Sequence, residues 1–333
     1  MKELDDRELM ELLKGVSRSF VLTIRALPKG LRKPVGLAYL LARTSDTMAD
    51  TATAPVDARV ECLRGFAGNL AREGGQEGFG RLREIKPENE AEQYLLGNLE
   101  RVTGALEGLP DDDRKEIVAL MRKITRGQEM DLLRFPDSGK VRALETAEEL
   151  DEYTYLVAGC VGEFWTRICG AHLPRYGRLE PDELCRLGRG FGQGLQLVNI
   201  LRDFPADIGN GRCYLPLAEL REAGVSEPEE LLGDLRRAVP VFEAWRQKAL
   251  RRHEEGRRYI EGIRPWRIRF ACLLPWALGV RTLKLIGEKS ALEKGERVKV
   301  GRKEVGKIMR RAALGAVSNG VVKRWAEEGL RET

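Results

Sequence analysis

The chain has 333 residues, enough to bury a large core, and its net charge is only +5 from 57 basic and 52 acidic side chains. This excess is too small to identify a nucleic-acid-binding protein, although it suits an enzyme that acts on anionic substrates or at an anionic membrane surface. Aromatic residues make up 6% of the chain, which argues against an all-β architecture.

Apolar residues recur with a helical period along the whole chain. We predict helices over residues 3–16, 35–48, 57–71, 90–106, 111–135, 147–170, 181–204, 217–223, 229–235, 240–259, 266–286 and 303–328. Residues 74–80 form a predicted loop, and the segment 298–300 is a candidate strand too short to define a sheet. Since no repeat or domain boundary stands out, we predict one all-α domain over residues 1–333.

Membrane and redox signals favour a cytoplasmic enzyme. The longest apolar stretch, residues 270–286, contains Pro275, Arg281 and Lys284, so we do not expect it to span a bilayer. The charged N-terminal segment argues against a signal peptide, and any membrane contact is expected to be peripheral. Six cysteines without a CxxC pair and two histidines argue against a zinc site and fit reduced, buried thiols.

Two matching aspartate pairs are the sharpest feature of the sequence. Asp46 and Asp50 lie at the end of one predicted apolar helix, and Asp203 and Asp207 lie at the end of another. A spacing of four residues places both carboxylates of a pair on one helix face, roughly 5–6 Å apart at Cβ, where they repel each other. A cation between them would remove this repulsion, and oxygen ligands without His or Cys favour Mg²⁺ shared with substrate phosphates.

A purely structural explanation is that each pair marks a polar helix end. That explanation is the better one for a single pair, but two pairs with adjacent arginines favour a ligand site. Arg43 lies three residues before Asp46, and Arg202 adjoins Asp203. Both arginines are suited to bind the oxygens of a diphosphate.

The helix that leads to the second pair has a polar stripe. Gln196, Asn199 and Asp203 share one face of a helix otherwise made of Leu, Val and Ile. Polar groups on a buried face need partners, which either a hydrogen-bond network or a ligand with its metal can provide. We favour the ligand and its metal.

Several motifs occur together with the aspartate pairs and in a fixed order. They are Ser17-Arg18-Ser19-Phe20, Tyr39-x-x-x-Arg43-x-x-Asp46-Thr47-x-x-Asp50, Tyr153-x-Tyr155-x-Val157-Ala158-Gly159-x-Val161-Gly162, Gln196-x-x-Asn199-x-x-Arg202-Asp203-x-x-x-Asp207 and Gly211-Arg212-x-Tyr214-Leu215-Pro216. Over about residues 14–290 this set resembles the squalene and phytoene synthase family. The combination is far more specific than either aspartate pair alone.

The resemblance implies an all-α isoprenoid synthase fold around a central cavity. It implies that two molecules of farnesyl diphosphate are joined head to head with the help of Mg²⁺. One farnesyl diphosphate ionises, the double bond of the second captures the allylic cation, and loss of a proton forms presqualene diphosphate. This intermediate then ionises, rearranges and is quenched.

The resemblance also implies roles for individual residues. Asp46, Asp50, Asp203 and Asp207 are expected to bind the metal. The diphosphate-binding residues would be Ser17, Arg18, Arg43, Arg202 and Arg212, and the catalytic positions would be Tyr39, Tyr153 and Asn199. Tyrosine faces can stabilise a carbocation.

Two positions depart from the family pattern. Leu156 replaces a tyrosine that eukaryotic squalene synthases carry immediately before Val-Ala-Gly, whereas Tyr155 matches the bacterial pattern. The role of this aromatic position in proton transfer therefore stays open. Pro205 is expected to end its helix one turn into the second aspartate motif.

The product is not decided by these motifs. Squalene synthase adds a hydride from NADPH, whereas dehydrosqualene, hydroxysqualene and phytoene synthases do not. No Rossmann fingerprint is present, and the closely spaced glycines from Gly188 to Gly194 are interpreted as sites of close helix packing. The basic segment 298–303 resembles a C-terminal squalene synthase segment, so we expect Lys299 and Arg302 to contact NADPH, with a solvated basic loop as the alternative.

A non-catalytic assembly protein of the same fold is a remote alternative. Such proteins would be expected to lose metal-binding aspartates, and this chain retains all four. The choice between C15 and C20 substrates and the oligomeric state are not predicted.

Overall fold

The computed structural model describes residues 4–17, 20–71, 81–136, 139–288, 292 and 298–330, most of which are α-helical. In chain order the helices are α1 (Asp6–Val16), α2 (Phe20–Ala26), α3 (Lys29–Asp50), α4 (Val56–Ala71), α5 (Glu90–Gly97), α6 (Leu99–Gly104), α7 (Asp111–Arg134), α8 (Ala147–Thr154), α9 (Cys160–His172), α10 (Pro181–Gly209), α11 (Leu217–Glu222), α12 (Val239–Gly262), α13 (Trp266–Glu288), α14 (Arg302–Gly315) and α15 (Asn319–Leu330). The predicted all-α class is confirmed. The predicted loop 74–80 lies outside the described residues.

The chain forms two compact units. The first comprises Met1–Leu133 and Arg167–Pro174, and the second comprises Arg134–Thr166 and Arg175–Thr333. The single domain over residues 1–333 stays a prediction.

Helix α3 is the central element of the first unit. Helix α1 begins with a capping box, in which the side chain of Asp5 and that of Glu8 each accept a hydrogen bond from the other residue's backbone N–H. Leu9 and Leu13 of α1 then lie against Gly36 of α3. The buried apolar side of α3 includes Leu37, Leu40, Leu41 and Met48. This packing fixes the direction in which the polar side of α3 points.

The second unit is organised around α10, which packs along α12. Gly192 of α10 lies so close to the preceding helical segment that a Cβ there would be 2.2 Å from the carbonyl oxygen of Ala158. A Cβ on Gly188 would be 2.7 Å from the hydroxyl of Thr166. The prediction that these glycines permit close helix packing is therefore confirmed.

A two-residue parallel ladder follows α10. Strands β1 (Arg142–Ala143) and β2 (Arg212–Cys213) pair with Arg142 opposite Arg212. Gly211, which precedes β2, has a φ of 80°, and a Cβ there would lie 2.9 Å from the carbonyl oxygen of Lys140. Glycine is needed for both reasons. The ladder holds the Gly211-Arg212 motif in place beyond the end of α10.

Several predicted boundaries are wrong. The predicted helix 90–106 is split at Asn98, and the predicted helix 147–170 contains a π-helical turn over Tyr155–Gly159. The predicted helix 303–328 breaks after Gly315, because Arg269 donates hydrogen bonds to the carbonyls of Gly315 and Ala316. The candidate strand 298–300 has no strand structure.

Candidate active site

The first aspartate pair lies on the last turn and a half of α3, in the first unit. Tyr39, Arg43, Asp46 and Asp50 recur at spacings of four, three and four, so they share one face of α3. Tyr39 and Arg43 are half-buried, and 46% of the Asp46 side chain is exposed. The structure thus brings together the four residues that sequence analysis assigned to this motif.

Asp46 carries a carboxylate whose charge is poorly compensated. Partial desolvation of the carboxyl group and repulsion from Asp50 raise its pKa to about 6. The nearest guanidinium atom of Arg43 is 3.9 Å away, and Arg43 pairs instead with Glu92 through its other terminal nitrogen. A pair of oxygen donors that repel each other is the arrangement that a bound cation would relieve.

Gln128 of α7 lies beside the first aspartate pair. Its side-chain N–H donates a hydrogen bond to Asp46 Oδ1 at 2.6 Å, while its own Oε1 is buried without a hydrogen-bond partner among the described residues. A buried amide oxygen needs a partner, and a hard cation beside Asp46 is one. The residues present therefore fit the Mg²⁺ that the motif implies.

Sequence analysis missed both Gln128 and Glu92. Gln128 follows Ile117, Leu120, Met121 and Ile124 on the buried side of α7, at a position where the helical period calls for an apolar side chain. A glutamine at such a position was a usable signal. Glu92 offered none, because it lies in an exposed-looking acidic stretch 49 residues from Arg43.

The second aspartate pair lies in the last two turns of α10, in the second unit. Arg202 and Asp203 form a two-pronged ion pair, with N···O distances of 3.0 and 2.6 Å. About a quarter of each side chain is exposed, and Asp207 is half-buried. The cation that we expected to bind substrate diphosphate is thus engaged with the neighbouring carboxylate.

Two expectations for this helix are wrong. Helix α10 continues through Pro205 to Gly209, because Phe204 and Ile208 are almost fully buried and hold the last turns in place despite the lost backbone donor. Asn199 is exposed and its amide donates to Gln196 at 3.3 Å, so this polar stripe is not the buried face that we expected.

Tyr153 lies in an aromatic cluster of the second unit. Its ring stacks on that of Tyr214, with centroids 5.1 Å apart and planes 23° from parallel, and Phe135 meets Tyr214 edge-on at 5.0 Å. Tyr153 and Tyr214 come from two separate sequence motifs that sequence analysis did not connect in space. Their contact creates an extended π surface.

Tyr155 lies at the start of the π-helical turn, a type of helix defect that is frequent at functional sites. Its hydroxyl donates a hydrogen bond to Glu163 at 3.2 Å, and Glu163 also pairs with Arg189 at 3.1 Å. Leu156, at the departure from the eukaryotic pattern, is buried. The hydroxyl of Tyr155 is therefore held within a polar network of its own unit.

The remaining predicted residues are spread through the chain. Ser17 is buried at the C-cap of α1, and Arg18 lies outside the described residues. Arg212 is half-buried in β2. Lys299 is exposed, and the exposed Arg302 begins α14 directly after the N-cap Gly301.

Within the described ranges, no three His, Cys, Asp or Glu side chains are grouped closely enough to hold a metal. Each motif contributes two aspartates, so water and phosphate oxygens would have to supply other ligands to Mg²⁺, as they commonly do.

One described helix, over Trp266–Gly287, is long and apolar enough to cross a membrane, with a mean hydropathy of 1.3. More than half of this stretch, 56%, is buried inside the protein, so it is not a clear transmembrane anchor.

Comparison with known proteins identifies the family. The squalene/phytoene synthase family profile matches residues 13–304. A bifunctional lycopene cyclase/phytoene synthase of Gibberella fujikuroi is 32% identical over 305 residues, which cover 90% of this chain and 49% of that protein. The squalene synthase of Schizosaccharomyces pombe is 27% identical over 289 residues, which cover 84% of this chain and 59% of that protein. The chain thus spans roughly half to three-fifths of the length of these two relatives.

Solved structures show the same fold. The complex of TcSQS with the ligand E5700 superposes with a TM-score of 0.74 at 21% identity, covering 98% of this chain and 97% of that one. The squalene synthase HpnC from Alicyclobacillus acidocaldarius superposes with a TM-score of 0.57 at 21% identity, covering 85% of this chain and 92% of that one. The chain therefore belongs to the squalene/phytoene synthase family and has the all-α isoprenoid synthase fold.

Proposed function

We propose that the protein is a Mg²⁺-dependent prenyltransferase that joins two molecules of farnesyl diphosphate through presqualene diphosphate and reduces this intermediate to squalene with NADPH. The observation that carries the proposal is the environment of Asp46, whose repulsion by Asp50 and contact with the half-satisfied Gln128 suit a bound cation. The same spacing of aspartates at Asp203 and Asp207 supports it.

The diphosphate is the leaving group of both steps. When bound, Mg²⁺ neutralises negative charge on the diphosphate and thereby promotes ionisation. In this proposal Asp46 and Asp50 bind metal in the first unit, and Asp203 and Asp207 bind metal in the second. Arg43, Arg202 and Arg212, with Ser17 and Arg18, bind diphosphate oxygens. Arg202 then exchanges part of its pairing with Asp203 for the substrate.

The carbocation has to be protected from water and stabilised by weak interactions. The stacked rings of Tyr153 and Tyr214 present a π surface that attracts a cation, worth roughly 0.5–2 kcal/mol per ring. Tyr39 on α3 and Asn199 on α10 are the other residues to which we assign catalytic roles. Asn199 is suited to hydrogen-bond the diphosphate or ordered water because its amide is exposed.

The reductive step is assigned to Lys299 and Arg302. NADPH supplies the hydride when it is bound. Two exposed cations beside the helix N-terminus at Arg302 have the chemistry to bind its phosphates. If no nucleotide is used, the same family chemistry ends in dehydrosqualene or hydroxysqualene.

A C20 substrate that leads to phytoene is the second candidate. It is favoured by the 32% identity with the fungal bifunctional lycopene cyclase/phytoene synthase, which exceeds the 27% identity with the squalene synthase of Schizosaccharomyces pombe. The four retained aspartates argue against a non-catalytic assembly protein.

The test is to incubate the purified protein with farnesyl or geranylgeranyl diphosphate, with and without Mg²⁺ and NADPH, and to identify products by mass spectrometry. Squalene formed from the C15 substrate only with both Mg²⁺ and NADPH is the expected result. Dehydrosqualene, hydroxysqualene or presqualene diphosphate as the final product, whether or not NADPH is present, would overturn the reductive step. Phytoene from the C20 substrate would favour the second candidate, and no turnover of either substrate would refute catalysis.

A further inference from the structure

The C-terminal segment of the second unit, residues 298–330, has an excess of basic over acidic side chains. It contains eight basic and three acidic side chains, an excess equal to the net charge of +5 of all 333 residues. Glu304 pairs with Arg281 at 2.5 Å, and Glu328 pairs with Arg311 at 2.6 Å. This part of the surface is therefore cationic.

Helix α14 exposes apolar and basic side chains together. Met309 is 45% exposed and Leu314 is 63% exposed, while Lys307 and Arg310 are also exposed. At 100° per residue these four lie within an arc of about 160°, and the opposite side of α14 is buried. Val317, directly after the helix, is 73% exposed. Leu314 and Val317 have the highest exposures among the large hydrophobic residues of the described chain.

A tryptophan lies near the same end of α14. Arg269 of α13 donates hydrogen bonds to the carbonyls of Gly315 and Ala316, which fixes the start of α13 beside the end of α14. Trp266, in that first turn of α13, is 56% exposed, and the guanidinium of Arg267 lies 5.4 Å from its ring centroid. An exposed indole beside a cation is suited to the boundary between water and lipid.

We infer that the face made by Lys307, Met309, Arg310, Leu314 and Val317 docks the protein on the surface of an anionic phospholipid bilayer. The apolar side chains enter the headgroup region, and the cations face lipid phosphates, as in amphipathic helices that lie in the plane of a membrane. A second copy of the chain is a poorer occupant, because an isologous interface would bring like charges together. The inference does not depend on the proposed reaction.

The test is vesicle flotation of the full chain. The vesicles contain phosphatidylcholine alone or with about 30 mol% phosphatidylglycerol, because the cations require anionic lipid. We expect binding to the anionic vesicles only, and weaker binding as salt is raised. The double variant Lys307→Glu/Arg310→Glu should lower the partition coefficient about tenfold or more, and Leu314→Ser/Val317→Ser should lower it several-fold.

Matched changes elsewhere on the surface serve as controls. Lys115→Glu changes a side chain that is 72% exposed, Leu232→Ser changes a residue that is 60% exposed, and both should bind vesicles like the wild type. Circular dichroism checks that each variant folds. Equal binding to neutral vesicles, or full binding by either double variant, would overturn the inference. A wild-type dimer that Leu314→Ser/Val317→Ser dissociates in light scattering, without any vesicle binding, would assign the face to a second copy.

Discussion

The two aspartate motifs have the same spacing but different electrostatic surroundings. In the first, Asp46 is partly desolvated and repelled by Asp50, and the neighbouring Arg43 is engaged by Glu92. In the second, Asp203 accepts hydrogen bonds from Nε and from one terminal nitrogen of Arg202. An Asp-x-x-x-Asp pattern therefore does not by itself define the electrostatic environment of a site. Under the proposed function, a cation at the first motif relieves the repulsion between Asp46 and Asp50, whereas a cation at the second competes with the ion pair between Arg202 and Asp203.

Substitution of an aspartate in either motif should cause a greater loss of activity than any other change proposed below. Asp46→Asn and Asp203→Asn should each lower kcat/KM for prenyl diphosphate turnover by at least about a thousandfold, because each removes a proposed metal ligand. Product formation at saturating Mg²⁺ measures the effect. Asp182→Asn, at the exposed start of α10, is the matched control and should retain activity. Near-normal activity in either motif variant would contradict its assignment as a ligand.

Acidic pH should lower the free energy of unfolding, because it affects the packing of α12 against α10, the helix that carries the second motif. His253 of α12 lies against Gly194 of α10, is fully buried, and has a pKa lowered to about 4 by burial. Its Nδ1–H donates to the carbonyl of Ala249, and its Nε2 has no partner among the described residues. Because the unfolded chain binds this proton more tightly, stability should fall as pH drops from about 6.5 to 4, by up to about 3 kcal/mol.

Urea unfolding at a series of pH values measures this loss. His253→Gln should remove that part of the pH dependence, and an NMR titration of His253 in the wild type is a second readout if the variant does not fold. A His253 signal that titrates near 6.5 in the folded protein would contradict the prediction.

Gln128 tests the first motif specifically, because it reaches Asp46 from another helix, α7. Gln128→Met removes both the hydrogen bond to Asp46 and the buried amide oxygen, while conserving volume. The Mg²⁺ concentration needed for half-maximal activity should rise about 10–100-fold, as for other residues that orient metal ligands. Gln247→Met, which loses a hydrogen bond to Glu243, is the control and should leave this concentration unchanged. An unchanged Mg²⁺ requirement in Gln128→Met would contradict the role of the amide.

A smaller effect is expected on thermal stability without Mg²⁺. Substitutions in the two motifs should shift Tm in opposite directions. Asp46→Asn should raise Tm, since it relieves repulsion and keeps the hydrogen bond from Gln128. Asp203→Asn should destabilise the protein by about 1 kcal/mol, because Arg202 loses a partly buried partner. Thermal unfolding in a chelator measures both variants. A shift of the same sign in both would break the contrast between the motifs.

Residues that are close in sequence were predictable, and residues that meet across helices were not. Helical periodicity placed Asp46 and Asp50 on one face of α3, as the structure has them. The end of α10 was predicted wrongly because the burial of Phe204 and Ile208 outweighs the local effect of Pro205. Prediction from the local sequence takes the lost backbone hydrogen bond into account, but it cannot include packing against other helices.

The all-α class, the family and the two aspartate pairs could be recognised from the sequence, because they depend on residue type and spacing along the chain. The tertiary structure decided which partner each charge has. Gln128 lies 82 residues from Asp46, and Glu92 lies 49 residues from Arg43. The stacking of Tyr153 on Tyr214 is likewise a tertiary contact. So is the hydrogen bond from Arg269 to the carbonyl of Gly315, where α14 ends. Electrostatic pairing and burial depend on distances in space, which the fold alone sets.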